Sequence, residues 1–458
     1  MTQPSEQLWQ KLRLRFCISL AISCLLLQLL FLGNLSHLYG TLFQDSSRIH
    51  NLNILYVDYD GGVIGRSVTN AYGILASDTF PTIEQISPEK FPNPANVRSA
   101  VCKGDYWGAV YTFPNASDSL TTAIANGENT PTTLAYVWNG ARYAAFAESA
   151  VYSNIVTLIQ TTRSTYYAIN ASTMSTLLSI ESAVQVFLDP IQAVEINIKR
   201  TEQGTRVFYN TVSMIMPVIM QFFFMLSLNG VSSEFNLFKK LNWHTNGFIR
   251  LCVSVIYTFI SSLSMTGYIW GFKESWGVNG SQFVLTLITY WLYMHINFLF
   301  FDILTTFVPM QFMPFCVLTW MLLSISSTIS PFELSPGFYR WSYALPAHET
   351  YQILGQIWSD GCNNQLHIAL PILLSWWIIG IVLAFYAIYY RCNAAHALQG
   401  KMAASEGYQL TDKKPKTPSE SQNAILTRER RETMESIVLE RRIYGPSYPF
   451  VSRTADDR

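Results

Sequence analysis

Six apolar blocks limit what this chain can fold into. Phe16–Leu32, Val207–Leu228, Phe248–Phe272, Phe283–Val308, Met310–Ile329 and Leu366–Tyr390 are each long enough to cross a bilayer. A helix rises ~1.5 Å per residue, so roughly 17–25 apolar residues span ~30 Å of hydrocarbon. Runs of this kind satisfy their backbone donors and acceptors in that layer only as helices. The fold class expected is an α-helical integral membrane protein with six transmembrane helices. About 170 residues separate the first block from the other five, enough for an inserted domain.

Composition agrees with this division. Half the residues are apolar and 13% are charged, with Lys+Arg and Asp+Glu balanced at 30 each. A net charge of zero gives no reason to expect nucleic acid as a partner. Membrane lipid, a small-molecule or lipid substrate and a second copy of the chain are the partners such a protein allows. Charge is dense after Arg391, where Lys413, Lys414, Lys416 and Arg428–Arg431 lie.

Basic residues orient the spans. Lys11, Arg13 and Arg15 precede the first block, Lys239, Lys240 and Arg250 lie between the second and third, and Arg391 and Lys401 follow the last. If six helices alternate, all of these fall on one side, which the positive-inside rule makes cytosolic. The expectation is a cytosolic N-terminus over 1–15, a first helix and exit over 16–42, and a cytosolic tail over 392–458. A signal peptide would share the basic start, but no small-x-small site precedes Asn34, so an uncleaved anchor is expected. Sequons at Asn34, Asn115, Asn170 and Asn279 all fall on the other side. Asn34 abuts the membrane; Asn115 and Asn170 are the stronger glycosylation candidates.

Residues 43–206 read as an extracytosolic α/β domain. Asn53–Tyr59, Tyr106–Phe113 and Thr133–Trp138 are short β-rich runs, closed by Asp60-Gly61-Gly62, Pro114-Asn115 and Asn139-Gly140. Helical stretches at Val63–Ala76, Asn96–Lys103 and Ser117–Asn126 separate them. From Ala141 to Leu188 small and hydroxyl residues at helical spacing predict one or two long helices returning to the membrane.

These residues carry a resemblance. Ser47–Asn53 followed by Val57-Asp58-Tyr59-Asp60-Gly61-Gly62, then Gly104–Val110 with Trp107 and Pro114–Ser117, resembles the fungal nitrosoguanidine-resistance protein family. Ser335–His348, with Trp341 and Pro346, looks like that family's most distinctive stretch, and Asn364–Pro371 then leads into the last helix. The family is in turn similar to bacterial phage-infection-type proteins and, in architecture, to membrane subunits of type-2 ABC exporters. The resemblance implies six spans, an extracytosolic domain after the first, and a part in drug and stress resistance. Likeness of architecture is a weak warrant for function.

Catalytic and cofactor motifs are lacking. Gly400-Lys401 is followed by Met402 and completes no phosphate loop, so the chain carries no ATPase motif. There is no G-x-S-x-G elbow, no H-E-x-x-H and no C-x-x-C pair. No enzyme activity, cofactor or metal is expected. Asp58 and Asp60 suggest paired carboxylates, but ahead of Gly61-Gly62 turn chemistry explains them better, each accepting backbone N–H groups.

The spans offer a candidate polar path instead. His295, Asn297 and Asp302 lie in the fourth block, Asn210 and Gln221 in the second beside Pro217. Polar groups at membrane depth are costly and normally face the bundle interior. His295 and Asp302, seven apart, share one helix face. They line a substrate path or make ordinary interhelical hydrogen bonds.

Residues 331–365 are too polar to span and rich in aromatics that suit the headgroup region. His348–Trp358 predicts a short interfacial helix with Tyr351, Leu354 and Ile357 on one face. In the tail, Thr417-Pro418-Ser419-Glu420 predicts a helix over 418–442. Of seven cysteines, only Cys102 and Cys362 fall in the oxidising compartment under this topology. A disulfide between them and two free thiols are both open, the thiols being the simpler alternative.

The function expected is export or an export-like activity without an ATPase of its own, in the plasma membrane or an endomembrane. The alternative is a non-transporting regulator of membrane lipid organisation.

Overall fold

A computed structural model describes residues 6–174, 181–411 and 443–447. The predicted helix over 418–442 lies outside these residues. The chain enters through one long helix, α1 (Glu6–Thr41). A left-handed turn at Gln44 and a 3-10 segment, Asp45–Asn51, then lead into the first strand.

The polar segment forms a five-stranded sheet with strands β1 (Asn53–Asp58), β2 (Thr82–Ile86), β3 (Gly108–Thr112), β4 (Thr132–Trp138) and β5 (Gln192–Asn197). Their order is β2-β1-β3-β4-β5, with β1 parallel to β2 and β3, β3 antiparallel to β4, and β4 parallel to β5. Helices α2 (Val63–Leu75) and α3 (Pro94–Lys103) make the parallel crossovers, and α4 (Ala116–Asn126) joins β3 to β4.

Local chemistry sets these ends. Asn93 caps α3 by accepting the Asn96 N–H, Pro94 opens the helix, and Gly104 at φ 89° closes it. Alternation then builds two layers. Ile54, Tyr56, Val110, Leu134 and Tyr136 face one side of the sheet, under α2, α4 and a following helix, α5 (Ser153–Met174). Leu55, Val57, Ala109, Tyr111 and Val137 face the other, against Val97, Ala100 and Val101 of α3. Period-two burial on both faces is the mark of a sheet covered twice.

β2 and β5, both at the sheet's edges, extend the predicted strand set. Each is short and polar, which hides an edge strand in a sequence. The helical stretch predicted from Ala141 resolves into a π-helical turn at Ala147–Tyr152, α5, and α6 (Glu181–Leu188).

Beyond the sheet lie α7 (Val212–Glu234), α8 (Trp243–Gly271), α9 (Gly280–Phe307), α10 (Met313–Ser326), α11 (Pro346–Trp358) and α12 (Leu366–Thr411). Among the described residues five helices are long and apolar enough to cross a membrane: Arg13–Thr41 of α1, then α7, α8, α9 and Leu366–Gly400 of α12. The fifth apolar block differs. Its helix, α10, has 14 residues and rises only about 21 Å: the block opens as a 3-10 turn, Met310–Phe312, Pro314 sits in the first turn of the helix, and the helix ends at Ser326.

α9 runs through the middle of the bundle, packed on α7, α8, α11 and α12. It begins at a capping box in which Asn279 and Gln282 satisfy each other's backbone N–H. α1 stands at the edge. It is tied to α10 by Asn34 Nδ2 donating to Thr319 Oγ1 at 3.1 Å and by His37 Nε2 against Ser326 Oγ at 3.0 Å.

The sheet rests on the end of the bundle where α9 begins. Cys102 and Cys362 are disulfide-bonded with Cα atoms 4.5 Å apart, so the structure takes the bonded alternative over two free thiols. Arg142 pairs with Glu333 at 3.7 Å and Lys199 with Asp360 at 3.0 Å. Lys199 also donates to the Gly277 carbonyl. The main apolar core is continuous across this junction through Trp107, Tyr143, Tyr351, Trp358 and Tyr209.

Candidate functional site

The polar residues of the spans are drawn inward and bonded to one another. Trp377 of α12 donates its indole N–H to His295 Nδ1 at 2.7 Å, and His295 Nε2 meets Ser254 Oγ of α8 at 3.1 Å. An indole only donates, so Nδ1 accepts and the ring proton sits on Nε2. Asn297 donates to the Tyr293 carbonyl at 2.8 Å and accepts from Trp320 of α10 at 2.8 Å.

Asp302 is the centre of a charged cluster. Arg250 reaches its Oδ1 through Nε at 3.0 Å and Nη2 at 2.6 Å, while Arg391 Nη1 lies 3.6 Å away. All three side chains are buried, at 2–3% exposure. Arg250 also donates to Asn229 Oδ1 at 2.5 Å, and Arg391 to Thr305 Oγ1 at 2.5 Å. Two cations against one carboxylate are tolerable in a bundle interior only with such extra acceptors. A cavity of about 10 Å³ lies between Ser254, Arg250 and Asp302, room for about one water.

Arg250 and Arg391 therefore do more than mark topology. Charges at the end of an apolar block read as surface residues, and nothing in the sequence says that both turn in on Asp302. His295 and Asp302 share a helix face as expected but are held by different partners. Asn210 donates to the Ile329 carbonyl at 2.9 Å and the Thr328 carbonyl at 3.2 Å, closing the end of α10 onto the start of α7. Gln221 is fully buried, and neither of its amide atoms has a hydrogen-bond partner among the described residues. Leaving such a group unpaired costs about 1–3 kcal/mol.

A groove opens beside this core. It has a volume of about 560 Å³ between α9, α11 and α12, with Leu285, Ile288, Leu292, Ile353, Ile357, Leu370 and Leu373 as walls. Asn279, Gln282, Gln356 and Asp360 form its polar end. That end is already internally bonded: Gln282 Nε2 donates to Asp360 Oδ1 at 2.8 Å, and Lys199 balances the same carboxylate. Pro346 opens α11, in which Tyr351 and Leu354 are buried but so are His348, Glu349 and Ile353, so burial is not confined to one face. Trp341 remains half-exposed, 5.7 Å from the His37 ring.

The carboxylates of the sheet domain serve its turns. Asp58 Oδ1 accepts from Thr112 Oγ1 at 2.7 Å and from the N–H groups of Asp60 and Gly61 at 3.0 Å. Asp60 accepts from the N–H of Gly62 at 3.1 Å and of Ser117 at 2.8 Å, and from the Ser117 hydroxyl. Gly61 sits at φ 64°, the left-handed region that glycine enters freely. Among the described residues no three His, Cys, Asp or Glu side chains gather as a metal site.

The sequons divide differently from expectation. Asn115 and Asn279 are exposed, but Asn170 is only 8% exposed and donates to the Tyr166 hydroxyl at 3.1 Å. Asn34 is buried against α10. The preference for Asn170 is therefore corrected in favour of Asn279, because one face of α5 is covered by the sheet domain.

A family model described as "Protein of unknown function" (DUF3533) matches residues 23–382, spanning the sheet domain and most of the bundle. No curated protein and no solved structure matches the chain.

Proposed function

The chain belongs to the DUF3533 family, and on that premise we propose that it exports or redistributes amphipathic molecules across the bilayer. The groove carries this reading. Two of its walls, α9 and α12, are helices of membrane-spanning length, so hydrocarbon lies against its open side. A molecule with an apolar body and a polar end reaches it from the membrane and places that end against Gln356 and Asp360. A volume of about 560 Å³ falls within the usual range for small-ligand sites, roughly 300–1,000 Å³.

In this reading α10 is the fifth of six spans, entered through the 3-10 turn Met310–Phe312. Arg13, Arg15, Lys239 and Lys240 lie at the end of the bundle away from the sheet. The positive-inside rule then makes that end and both termini cytosolic and the sheet domain extracytosolic. The resemblance to nitrosoguanidine-resistance proteins supplies drug and stress resistance as the outcome. Energy would come from a gradient or another protein, since the chain has no nucleotide motif.

One observation favours a second reading, a regulator of lipid organisation that transports nothing. The interior polar side chains are largely bonded to each other, and the cavity beside Arg250, Ser254 and Asp302 has only about 10 Å³.

Reconstituted vesicles separate the two. A panel of drugs and labelled lipids is followed with and without a proton gradient, for the natural chain and for Ile353→Trp and Leu370→Trp. Movement of an amphipathic panel member that both bulky residues block is the expected result. If no member moves, export is wrong; if both variants move cargo normally, the groove is not its route.

A further inference from the structure

Where the sheet meets the bundle, Glu349 stands in an unusual position. It lies in the first turn of α11 and is 3% exposed. Its carboxylate accepts no hydrogen bond and joins no ion pair with any described residue. It lines a cavity of about 140 Å³, together with Trp107, Arg142, Tyr143, Phe332, Glu333, Tyr343 and His348.

The neighbouring groups do not neutralise it. Arg142 is held elsewhere: its guanidinium stacks 3.8 Å above the Trp107 ring, donates to the Gly104 carbonyl at 3.3 Å and pairs with Glu333. His348 Nδ1 lies 2.9 Å from the Ser327 carbonyl, which can only accept, so this nitrogen carries the ring proton. Burial pushes the His348 pKa down to about 4, and it contributes no cation at neutral pH. Arg142 and Glu333 cancel, so no fixed cation faces Glu349 in the cavity. Burial raises the Glu349 pKa to about 7, so near neutral pH the carboxylate is part-ionised and a bound cation favours its charged form.

The walls choose between kinds of cation. A metal ion needs several oxygen ligands at short range, and Glu349 is the one unpaired carboxylate facing this cavity. Aromatic rings line much of the remainder. Phe332 packs 4.4 Å from Tyr343 and 4.6 Å from His348, and Tyr343 packs 5.0 Å from His348. Ring faces beside an anionic group are the recurring recognition chemistry for alkylated ammonium ions, which shed water easily.

We infer that this cavity binds one small organic ammonium ion, with its charge against Glu349 and its alkyl surface against Phe332 and Tyr343. The site is separate from the membrane-facing groove, and it goes beyond the proposed function. An amine in solution and the ammonium headgroup of a phospholipid share this chemistry. Gln365 and Ile368, at the start of α12, also line the cavity and place it beside the first turn of a spanning helix.

The test uses the full chain in nanodiscs of phosphatidylglycerol, which has no ammonium group, titrated with choline and separately with sodium. Saturable binding of one choline per chain is expected, at least about tenfold tighter than sodium. Glu349→Gln, which keeps the shape, should remove it, and Tyr343→Leu should weaken choline while leaving sodium unchanged. If Glu349→Gln does not fold, Tyr343→Leu at its half-exposed position carries the test. A repeat in phosphatidylcholine discs assigns the source: weakened choline binding means that the lipid headgroup competes, and equal binding means a soluble amine. No saturable choline binding in phosphatidylglycerol, equal binding by natural chain and folded Glu349→Gln, or no preference over sodium would each overturn the inference.

Discussion

Asp302 accepts two hydrogen bonds from the Arg250 guanidinium, at 2.6 and 3.0 Å, in the interior of the helix bundle. Removing the carboxylate leaves Arg250 and Arg391 buried together without it. Breaking such a pair costs about 3–5 kcal/mol, so Asp302→Asn should lower the thermal midpoint of the purified chain sharply. Lys240→Gln, an exposed change, should stay within about 0.5 kcal/mol of the natural chain. A stable Asp302→Asn protein that has lost resistance activity would move Asp302 from packing to mechanism.

His295→Ala removes the acceptor of the Trp377 indole and the partner of Ser254. A loss of about 1–3 kcal/mol is expected from the unpaired indole alone, read as reduced protein at the membrane. Trp377→Phe in the same background should recover part of that loss. No recovery would mean that the hydrogen bond is not the cause.

Thiol labelling of the unreduced chain should find Cys102 and Cys362 unreactive. After reduction both become labelled. The Cys102→Ser variant should expose Cys362 to label and make the sheet domain easier to cleave by protease. Two thiols labelled without reduction would leave the ion pairs Arg142–Glu333 and Lys199–Asp360, the hydrogen bonds across the junction and the apolar contacts to hold the domains together.

Glycosidase treatment should shift the protein's mobility through Asn115 or Asn279. Asn115→Gln with Asn279→Gln should abolish the shift, and Asn170→Gln should change nothing, because that amide is buried. A sequon placed within 234–246 should stay unmodified; its modification would reverse the proposed orientation.

Stability should also depend on pH through Glu349. Its pKa in the folded chain is raised to about 7 by burial, above its ordinary value of 4.5. The folded state therefore holds this proton more tightly than the unfolded chain does. The stabilisation is complete below about pH 4.5 and is lost as pH rises to about 7. Arg142, Glu333, His348, Tyr343 and Tyr143 surround the group; His348 has titrated by about pH 4. Thermal midpoints measured from pH 5 to pH 8 should fall and then level off, and Glu349→Gln should flatten that slope. An unchanged slope in the variant would assign it to other groups.

Much of the sheet domain was legible because its strong signals are local. β1, β3 and β4 are apolar runs closed by turn residues, and α2, α3 and α4 fill the gaps at helical spacing. β2 and β5 escaped because an edge strand covers little core and can be polar at alternate positions, as Glu84 and Glu195 are. Five helices of membrane-spanning length were legible from length and composition alone, whereas the fifth block forms a helix of only 14 residues preceded by a 3-10 turn. The polar core was legible by residue type but not by partner. Sequence marks His295, Asn297 and Asp302 as costly, yet Ser254, Trp377, Trp320, Arg250 and Arg391 become their partners only when four helices meet. Glu349 gave no signal, since a carboxylate is notable there only for what fails to approach it.

The bond between Cys102 and Cys362 turns the intervening stretch into a covalent ring threaded through the helix bundle. α7, α8, α9 and α10 all belong to that ring, while α1 and α12 leave it as free arms. A lever that swings about a flexible stalk is thereby denied to the sheet domain. Any tilt at the start of α12 drags α3 with it through the bond, so displacement at that end of the helix bundle is felt by the domain as a whole.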